Sequence, residues 1–213
     1  MNHKESPRYI AALFDLDGVL IDTEGAYTKF WDEMASKHDK PSTFAYDIKG
    51  TTLSSILDTH FPAELHEEIE NMVHDYENNM EFVLFPGVEK FINGLIERGV
   101  KMAIVTSSDD SKVNSLKKQL PNLTEAMNVI IDGSMVNRSK PHPEGYLMAA
   151  TKLGVKPSRC VVFEDSLQGL ESGRRAGAKV VGLVTTNPAE KVQPLSDISI
   201  MSFEEITPEE IGF

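Results

Sequence analysis

Cysteine is almost absent from this chain of 213 residues, which contains Cys160 and no other. A disulfide within the chain is therefore excluded, and the composition suits a reducing compartment such as the cytoplasm. Cys160 stands in the apolar run of residues 160–163. We therefore interpret it as a buried core residue rather than a nucleophile.

Long apolar runs are also missing. No segment approaches the roughly 18 apolar residues that a membrane-spanning helix needs, and residues 1–8 lack the apolar stretch of a signal peptide. We therefore expect a cytoplasmic protein without a membrane partner. Internal repeats are absent, and the apolar content of 40% is ordinary for a globular protein with a buried core.

Positive charge is scarce, because 21 Lys and Arg face 33 Asp and Glu, for a net charge of −12. Such a chain repels the phosphates of nucleic acids, so a nucleic-acid partner is not expected. An anionic small-molecule substrate would need a local positive site. The length fits one large domain or a core with a small insert, and we expect a monomer.

A distinctive motif lies near the start of the chain. The mostly apolar run of residues 9–13 predicts one buried strand, which leads through Phe14 to Asp15 and Asp17, with Gly18 directly after them. Two carboxylates at the end of a buried strand are costly unless something compensates their charge. A metal ion would do so. An Asp that only caps a strand-to-loop turn is the alternative interpretation of this pair taken alone.

The pattern of predicted secondary structure changes twice along the chain. Residues 22–82 show helical spacing of apolar side chains and no clear strand, whereas strands alternate with helices after Pro86-Gly87. The later strands are predicted at residues 101–106, 129–131, 160–163, 180–184 and 198–200. This alternation predicts right-handed crossovers and a parallel sheet covered on both faces.

We therefore predict an α/β fold with a three-layer, Rossmann-like parallel-sheet core. The core comprises residues 1–21 and 83–213, and an all-helical cap subdomain of residues 22–82 is inserted after the first strand.

Carboxylates follow two of the predicted strands, Asp15 and Asp17 after the first and Glu164 and Asp165 after the strand that begins at Cys160. Ligands of open α/β sheets bind at the carboxyl ends of strands, where the strand order switches direction. If these two strands are neighbours, the four carboxylates converge and repel each other unless a cation lies among them. Oxygen ligands favour a hard ion, most simply Mg²⁺.

A phosphate group would complete this arrangement. Thr106 and Ser107 offer hydroxyl and backbone donors where a strand meets a helix, and Lys140 precedes a helix and offers a positive charge. Taken singly, Thr106 also fits a plain helix cap, and Lys140 also fits a solvated surface lysine.

The order of these motifs resembles that of the haloacid dehalogenase superfamily, in particular its helical-cap subgroup, which includes β-phosphoglucomutase and many small-molecule phosphatases. The resemblance covers the core from about residue 9 to residue 184 and rests on four motifs. They are Phe14-Asp15-Leu16-Asp17-Gly18-Val19-Leu20, Val105-Thr106-Ser107, Lys140-Pro141-His142-Pro143, and Phe163-Glu164-Asp165-Ser166 with Gly169.

The resemblance implies a role for each of these residues. Asp15 would attack phosphorus to form an aspartyl-phosphate, and Asp17 would first protonate the leaving alcohol and then activate water. The phosphoryl oxygens would be held by Thr106, Ser107 and Lys140. The Mg²⁺ ligands would be Asp15, Asp17 through its backbone carbonyl, Glu164 and Asp165.

The cap would determine the substrate, and the cap residues that we expect to face the site are Glu24, Tyr27, Lys49 and Thr51. Tyr27 also fits simple packing within a cap helix, and Lys49 also fits a surface lysine. β-Phosphoglucomutase-like mutases usually carry His where this chain has Tyr27 and Arg where it has Leu53. We therefore predict a Mg²⁺-dependent phosphatase that hydrolyses a small phosphate monoester such as a sugar or polyol phosphate, with a phosphomutase as the alternative.

Two further alternatives are less consistent with the residues. Family dehalogenases attack carbon without Mg²⁺, which the acidic cluster argues against. A non-enzymatic phospho-acceptor switch would also use an acidic Mg²⁺ site, but it has no use for Asp17 or for the inserted residues 22–82.

Overall fold

The computed structural model describes residues 7–213, apart from the side chains of Glu24 and Asn78. At its centre lies a six-stranded sheet with the strand order β3-β2-β1-β4-β5-β6, in which every pair of neighbours is parallel. The strands are β1 Ala11–Phe14, β2 Lys101–Val105, β3 Val129–Ile131, β4 Cys160–Glu164, β5 Lys179–Leu183 and β6 Ile198–Ile200. The predicted α/β class and parallel sheet are confirmed.

Helices cover both faces of this sheet. The α-helices of the described residues are α1 Glu24–Lys37, α2 Phe44–Asp47, α3 Leu53–His60, α4 His66–Asn78, α5 Val88–Glu97, α6 Asp110–Gln119, α7 Pro121–Glu125, α8 Glu144–Leu153, α9 Leu167–Ala176, α10 Ala189–Val192 and α11 Pro208–Ile211, of which α1 to α4 lie outside the layers that pack on the sheet. Successive strand residues point to opposite faces. Phe14 therefore packs in one cluster with α5 and α6, whereas Leu13 packs in another with α8 and α9. The result is the predicted three-layer core.

The segment of residues 22–82, which we call the helical segment, contains α1 to α4 and no strand within the described residues. Its apolar side chains form a cluster of their own around Trp31, whose ring contacts those of Phe44 and Phe61. The segment leaves and rejoins the sheet at one place, where Phe85 N donates to the Leu20 carbonyl at 3.0 Å. That residues 22–82 form a separate subdomain stays a prediction.

The strand order explains where a ligand site can lie. The chain runs from β1 to β2 and β3 on one side, and then crosses β1 to build β4, β5 and β6 on the other. The carboxyl ends of β1 and β4 therefore flank the point at which the strand order reverses, where the chain diverges and leaves a crevice. No helix in the described part of the chain is long and apolar enough to cross a membrane.

Candidate active site

The site residues predicted in the core lie together at the carboxyl edge of the sheet. β1 pairs with both β2 and β4, so the residues that follow these strands, Asp15, Thr106 and Asp165, lie side by side. They line a cleft of about 820 Å³, including the space at its open mouth, whose opposite wall comes from the helical segment. The expectation that β1 and β4 are neighbours is thus confirmed.

Three carboxylates form a buried acidic cluster at the base of this cleft. Asp15, Glu164 and Asp165 each place one oxygen within 4.8 Å of the others. Gly18 has a φ of 77°, and a Cβ there would approach Asp165 Oδ2 to 2.1 Å, so glycine alone allows the loop to pass so close. Buried oxygens of this kind in so small a volume suit a hard divalent cation, and the residues present therefore fit Mg²⁺.

Lys140 supplies positive charge inside the cluster. Its Nζ donates to Asp15 Oδ1 at 2.7 Å and to Glu164 Oε1 at 2.5 Å, and only 7% of the residue is exposed. Burial and the Glu164 carboxylate raise the pKa of Asp15, and Lys140 offsets this in part. Burial by itself lowers the pKa of Lys140, but the two carboxylates outweigh it and hold the lysine in its charged form.

Glu164 is engaged on both of its oxygens. Besides Lys140, Oε1 accepts a hydrogen bond from the Tyr146 hydroxyl at 2.7 Å. Oε2 accepts from the backbone N–H of Asp165 at 3.1 Å and from both the N–H and the hydroxyl of Ser166. In this geometry Glu164 orients Lys140, and its predicted role as a metal ligand stays a prediction.

The carboxylate of Asp17 makes its hydrogen bonds outside the acidic cluster. Its Oδ1 accepts from Lys112 Nζ and from the Thr23 hydroxyl, and its Oδ2 accepts from the Ser108 hydroxyl at 3.2 Å. Thr23 directly precedes α1, but its side chain makes no capping bond and holds Asp17 instead. The two aspartates of the opening motif therefore lie in different environments, as separate chemical roles require.

The two predicted phosphate-binding residues after β2 both line the cleft. The Thr106 hydroxyl is buried and accepts from Ser108 N–H at 3.1 Å, which turns the chain into α6. The Ser107 hydroxyl donates to the carbonyl of Gly50 at 2.9 Å and so joins the sheet edge to the helical segment.

Of the predicted cap residues, Tyr27, Lys49 and Thr51 line the cleft. The Tyr27 hydroxyl donates to the buried Glu77, and Lys49 Nζ lies 5.0 Å from the centre of the Tyr46 ring. The side chain of Glu24 lies outside the described residues.

Sequence reasoning missed several polar side chains of the site, above all Lys112 and Tyr146. Lys112 is fully buried in α6 and contacts Asp17, Tyr27 and the cleft wall. One signal for it exists in the sequence. Lys112 precedes Leu116 by four residues and therefore lies on the apolar face of an amphipathic helix, where a lysine is unusual.

Fold and site together define the class, a three-layer α/β protein whose site is a buried carboxylate cluster at the switch point of a parallel sheet. The chain belongs to the family of haloacid dehalogenase-like hydrolases, whose model matches residues 12–183.

Similar proteins agree with this assignment. The chain is 30% identical to the phosphorylated carbohydrates phosphatase of Thermotoga maritima, over 92% of this chain and 95% of that protein. It is 30% identical to hexitol phosphatase A of Escherichia coli, over 92% of each. A crystal structure of β-phosphoglucomutase from Clostridium difficile matches with a TM-score of 0.77 at 25% identity and covers 95% of each chain. The prediction of a phosphoric monoester hydrolase is confirmed.

Proposed function

We propose that the protein is a Mg²⁺-dependent phosphatase that hydrolyses a sugar or polyol phosphate through an aspartyl-phosphate on Asp15. The observation that carries this proposal is the separation of the two aspartates. Asp15 is buried beside Lys140 in the acidic cluster, whereas the carboxylate of Asp17 is held by Lys112 and lines the cleft. One carboxylate is thus placed to attack, and the other is placed to exchange a proton.

In the first step, an oxygen of Asp15 forms a bond to phosphorus while the bond from phosphorus to the leaving oxygen breaks. Asp17 gives its proton to that oxygen, so that a neutral alcohol departs. In the second step, Asp17 takes a proton from water, whose oxygen attacks phosphorus and releases phosphate from Asp15. Lys140, Thr106 and Ser107 supply donors around the phosphoryl oxygens in both steps.

The residues that would hold Mg²⁺ are Asp15, Asp165 and the backbone carbonyl of Asp17, with Glu164 beside them. The ion would neutralise charge on the phosphoryl group and on the attacking carboxylate. A divalent cation there would act on Asp15 in the same direction as Lys140, which favours the ionised form that a nucleophile needs.

The cleft and the similar proteins support a carbohydrate-like leaving group. Two similar proteins are named for phosphorylated carbohydrates and for hexitols. The helical segment lines the cleft with apolar side chains, including Trp31, and with the polar groups of Tyr27, Lys49 and Glu77. Aromatic and aliphatic surface can cover the C–H face of a sugar, while the polar groups bind its hydroxyls.

The phosphomutase alternative is not favoured. A bisphosphate intermediate needs a second anion site in the helical segment, yet this chain has Tyr27 and Leu53 at the two positions where such mutases usually carry His and Arg. Among the described residues that line the cleft, the helical segment contributes Lys49 as its one cation, and Glu77 lies on the same wall.

The test is Asp15→Asn, assayed with Mg²⁺ against hexose, hexitol and other phosphomonoesters. We expect phosphate release to fall by about four orders of magnitude or more, because the amide cannot act as the nucleophile. Circular dichroism should show an unchanged fold, since one of several repelling carboxylates is removed.

Glu171→Gln, at a partly exposed position of α9 where the carboxylate accepts from Arg175, is the matched control and should keep full activity. Turnover by Asp15→Asn well above background would contradict the assignment. Interconversion of hexose phosphates by the unaltered protein, without release of phosphate, would favour the mutase.

A further inference from the structure

We propose that Lys112 is a positioning residue that fixes the carboxylate of Asp17 for proton transfer to the leaving group. The inference rests on the proposed function, since it concerns the aspartate that serves there as acid and base. It goes beyond that function in assigning a role to a lysine of α6 that lies outside the four motifs.

The surroundings of Lys112 do not suit a packing residue. The side chain is 0% exposed and lies on the apolar face of α6, next to Val113 and four residues before Leu116. Taking an ammonium group out of water is costly even after relaxation of the protein. A methionine of similar length would fill the same space without that cost, so the charge itself needs an explanation.

The contacts of the ammonium group provide one. Lys112 Nζ donates to Asp17 Oδ1 and, at 2.7 Å, to the Tyr27 hydroxyl, and it lies 4.1 Å from the centre of the Tyr27 ring. Tyr27 in turn donates to Glu77, which is 4% exposed. A buried chain of polar groups therefore runs from α4 through α1 and α6 to Asp17.

These polar contacts determine which oxygen of Asp17 exchanges the proton. Oδ1 is held by two donors, Lys112 and the Thr23 hydroxyl, whereas Oδ2 has one longer bond of 3.2 Å from Ser108 among the described contacts. Proton transfer needs a carboxylate oxygen within hydrogen-bond reach of the leaving oxygen. With Oδ1 anchored, Oδ2 is the oxygen that meets the substrate.

The contacts also tie this orientation to the helical segment. Tyr27 and Glu77 belong to α1 and α4, and the amino group that they hold in place is the one that holds Asp17. Displacement of α1 and α4 from the sheet edge would remove one of the two partners of Lys112 and loosen the carboxylate. Asp17 is therefore best oriented when the helical segment covers the cleft, which is when a substrate is shielded from water.

The test compares Lys112→Met with the unaltered protein on two substrates, a primary alkyl phosphate and p-nitrophenyl phosphate. An alkoxide needs a proton in order to leave, whereas p-nitrophenolate leaves without one. The quantity to compare is kcat/KM, which reports the first step. We expect Lys112→Met to lower kcat/KM for the alkyl phosphate by about 10- to 100-fold, which is part of the rate enhancement that a general acid supplies. On p-nitrophenyl phosphate the loss should stay within about threefold.

Three companion variants make the result decisive. Lys118→Met places the same change on the exposed face of α6 and should alter neither value. Asp17→Asn should show the same selectivity for the alkyl phosphate more strongly. Tyr27→Phe keeps the ring beside Lys112 but removes the hydroxyl, and it should shift the ratio of the two kcat/KM values in the same direction by less.

Other outcomes would contradict either the role of Lys112 or the proposed function. An equal loss on both substrates, or no loss, would overturn the role of Lys112. If Lys112→Met does not fold, an unchanged ratio in Tyr27→Phe would overturn it instead. If Asp17→Asn shows no selectivity, the proposed role of Asp17 as acid and base is wrong, and the inference fails with it. If the unaltered protein releases phosphate from none of the hexose, hexitol and other phosphomonoesters, the proposed function itself is wrong.

Discussion

Glycine makes room for the carboxylates of the site. The Cα of Gly169 in α9 lies against Glu164, and a Cβ added there would approach Glu164 Oε1 to 1.9 Å. Ser166 caps the N-terminus of the same helix, and its hydroxyl accepts a hydrogen bond from the N–H of Gly169 at 3.0 Å. Glycine is therefore required at position 169 for a steric reason, because the buried Glu164 carboxylate packs against the first turn of α9.

Gly169→Ala is accordingly expected to destabilise the protein, although alanine is normally the better helix former by about 1 kcal/mol. The methyl group would displace Glu164, which holds Lys140, so activity should fall together with the free energy of unfolding. Urea unfolding and kcat measured on the same preparation would show both changes.

Gly25→Ala in α1 is the matched control, because nothing lies within 4 Å of the Cβ added there. We expect that change to be neutral or to stabilise by up to about 1 kcal/mol. If Gly169→Ala behaved like Gly25→Ala, the packing of Glu164 against Gly169 would not be important for stability.

The part of the site that could be predicted from the sequence consists of polar residues that directly follow strands. Asp15, Thr106 and Asp165 end three strands that turn out to be neighbours, and a parallel sheet brings such residues together whatever the loops do. Lys112 and Tyr146 could not be found in this way. Each reaches the site from a helix, and which helical residue points at a strand end depends on how that helix packs.

Helices α4 and α6 meet beside the cleft, and a titratable pair joins them. His74 Nε2 lies 2.7 Å from Asp109 Oδ2, and the other oxygen of Asp109 caps α6 by accepting from Ser111 N–H at 3.0 Å. Burial lowers the pKa of His74, but the hydrogen bond and charge of Asp109, with smaller contributions from Glu77 and Glu70, raise it above its ordinary value of 6.5.

This pair should make the junction of α4 and α6 sensitive to pH. A histidine whose pKa is raised by folding stabilises the protein fully below the unfolded pKa of 6.5, and that contribution disappears as the pH rises through the folded pKa. His74→Gln should therefore lower the free energy of unfolding at about pH 5.5 by at most about 1 kcal/mol, and by less at about pH 8.5. Urea unfolding at both values measures the difference, and a loss that does not change with pH would contradict it.

Strands were predictable from the sequence, and the shortest helices were not. The strands predicted at residues 129–131 and 198–200 are β3 and β6, although each has only three residues. Each is an apolar segment that takes its place in the alternation of strands and helices. In contrast, α2 and α7 span 4 and 5 residues, too few for a period to be visible. Their formation depends on packing against the rest of the chain.

Across the whole protein, the net charge of −12 and the acidic cluster both destabilise the folded state, because each brings like charges together. Folding brings Asp15, Glu164 and Asp165 within a few ångströms of each other, and the remaining acidic excess adds a diffuse repulsion that any salt screens. A cation bound among these carboxylates would stabilise the folded state well beyond screening, because the unfolded chain offers no such cluster.

Mg²⁺ should therefore raise the melting temperature more than NaCl at equal ionic strength. At a concentration about 100 times its Kd, a ligand that binds only the folded state contributes about 2.7 kcal/mol. For a chain of this length that corresponds to about 5–11 °C. Asp165→Asn should keep the NaCl effect, which depends on total charge, and lose most of the additional Mg²⁺ effect, which depends on the cluster. If Mg²⁺ and NaCl acted alike in the unaltered protein, the acidic cluster would not be a divalent cation site, and the proposed metal dependence would be wrong.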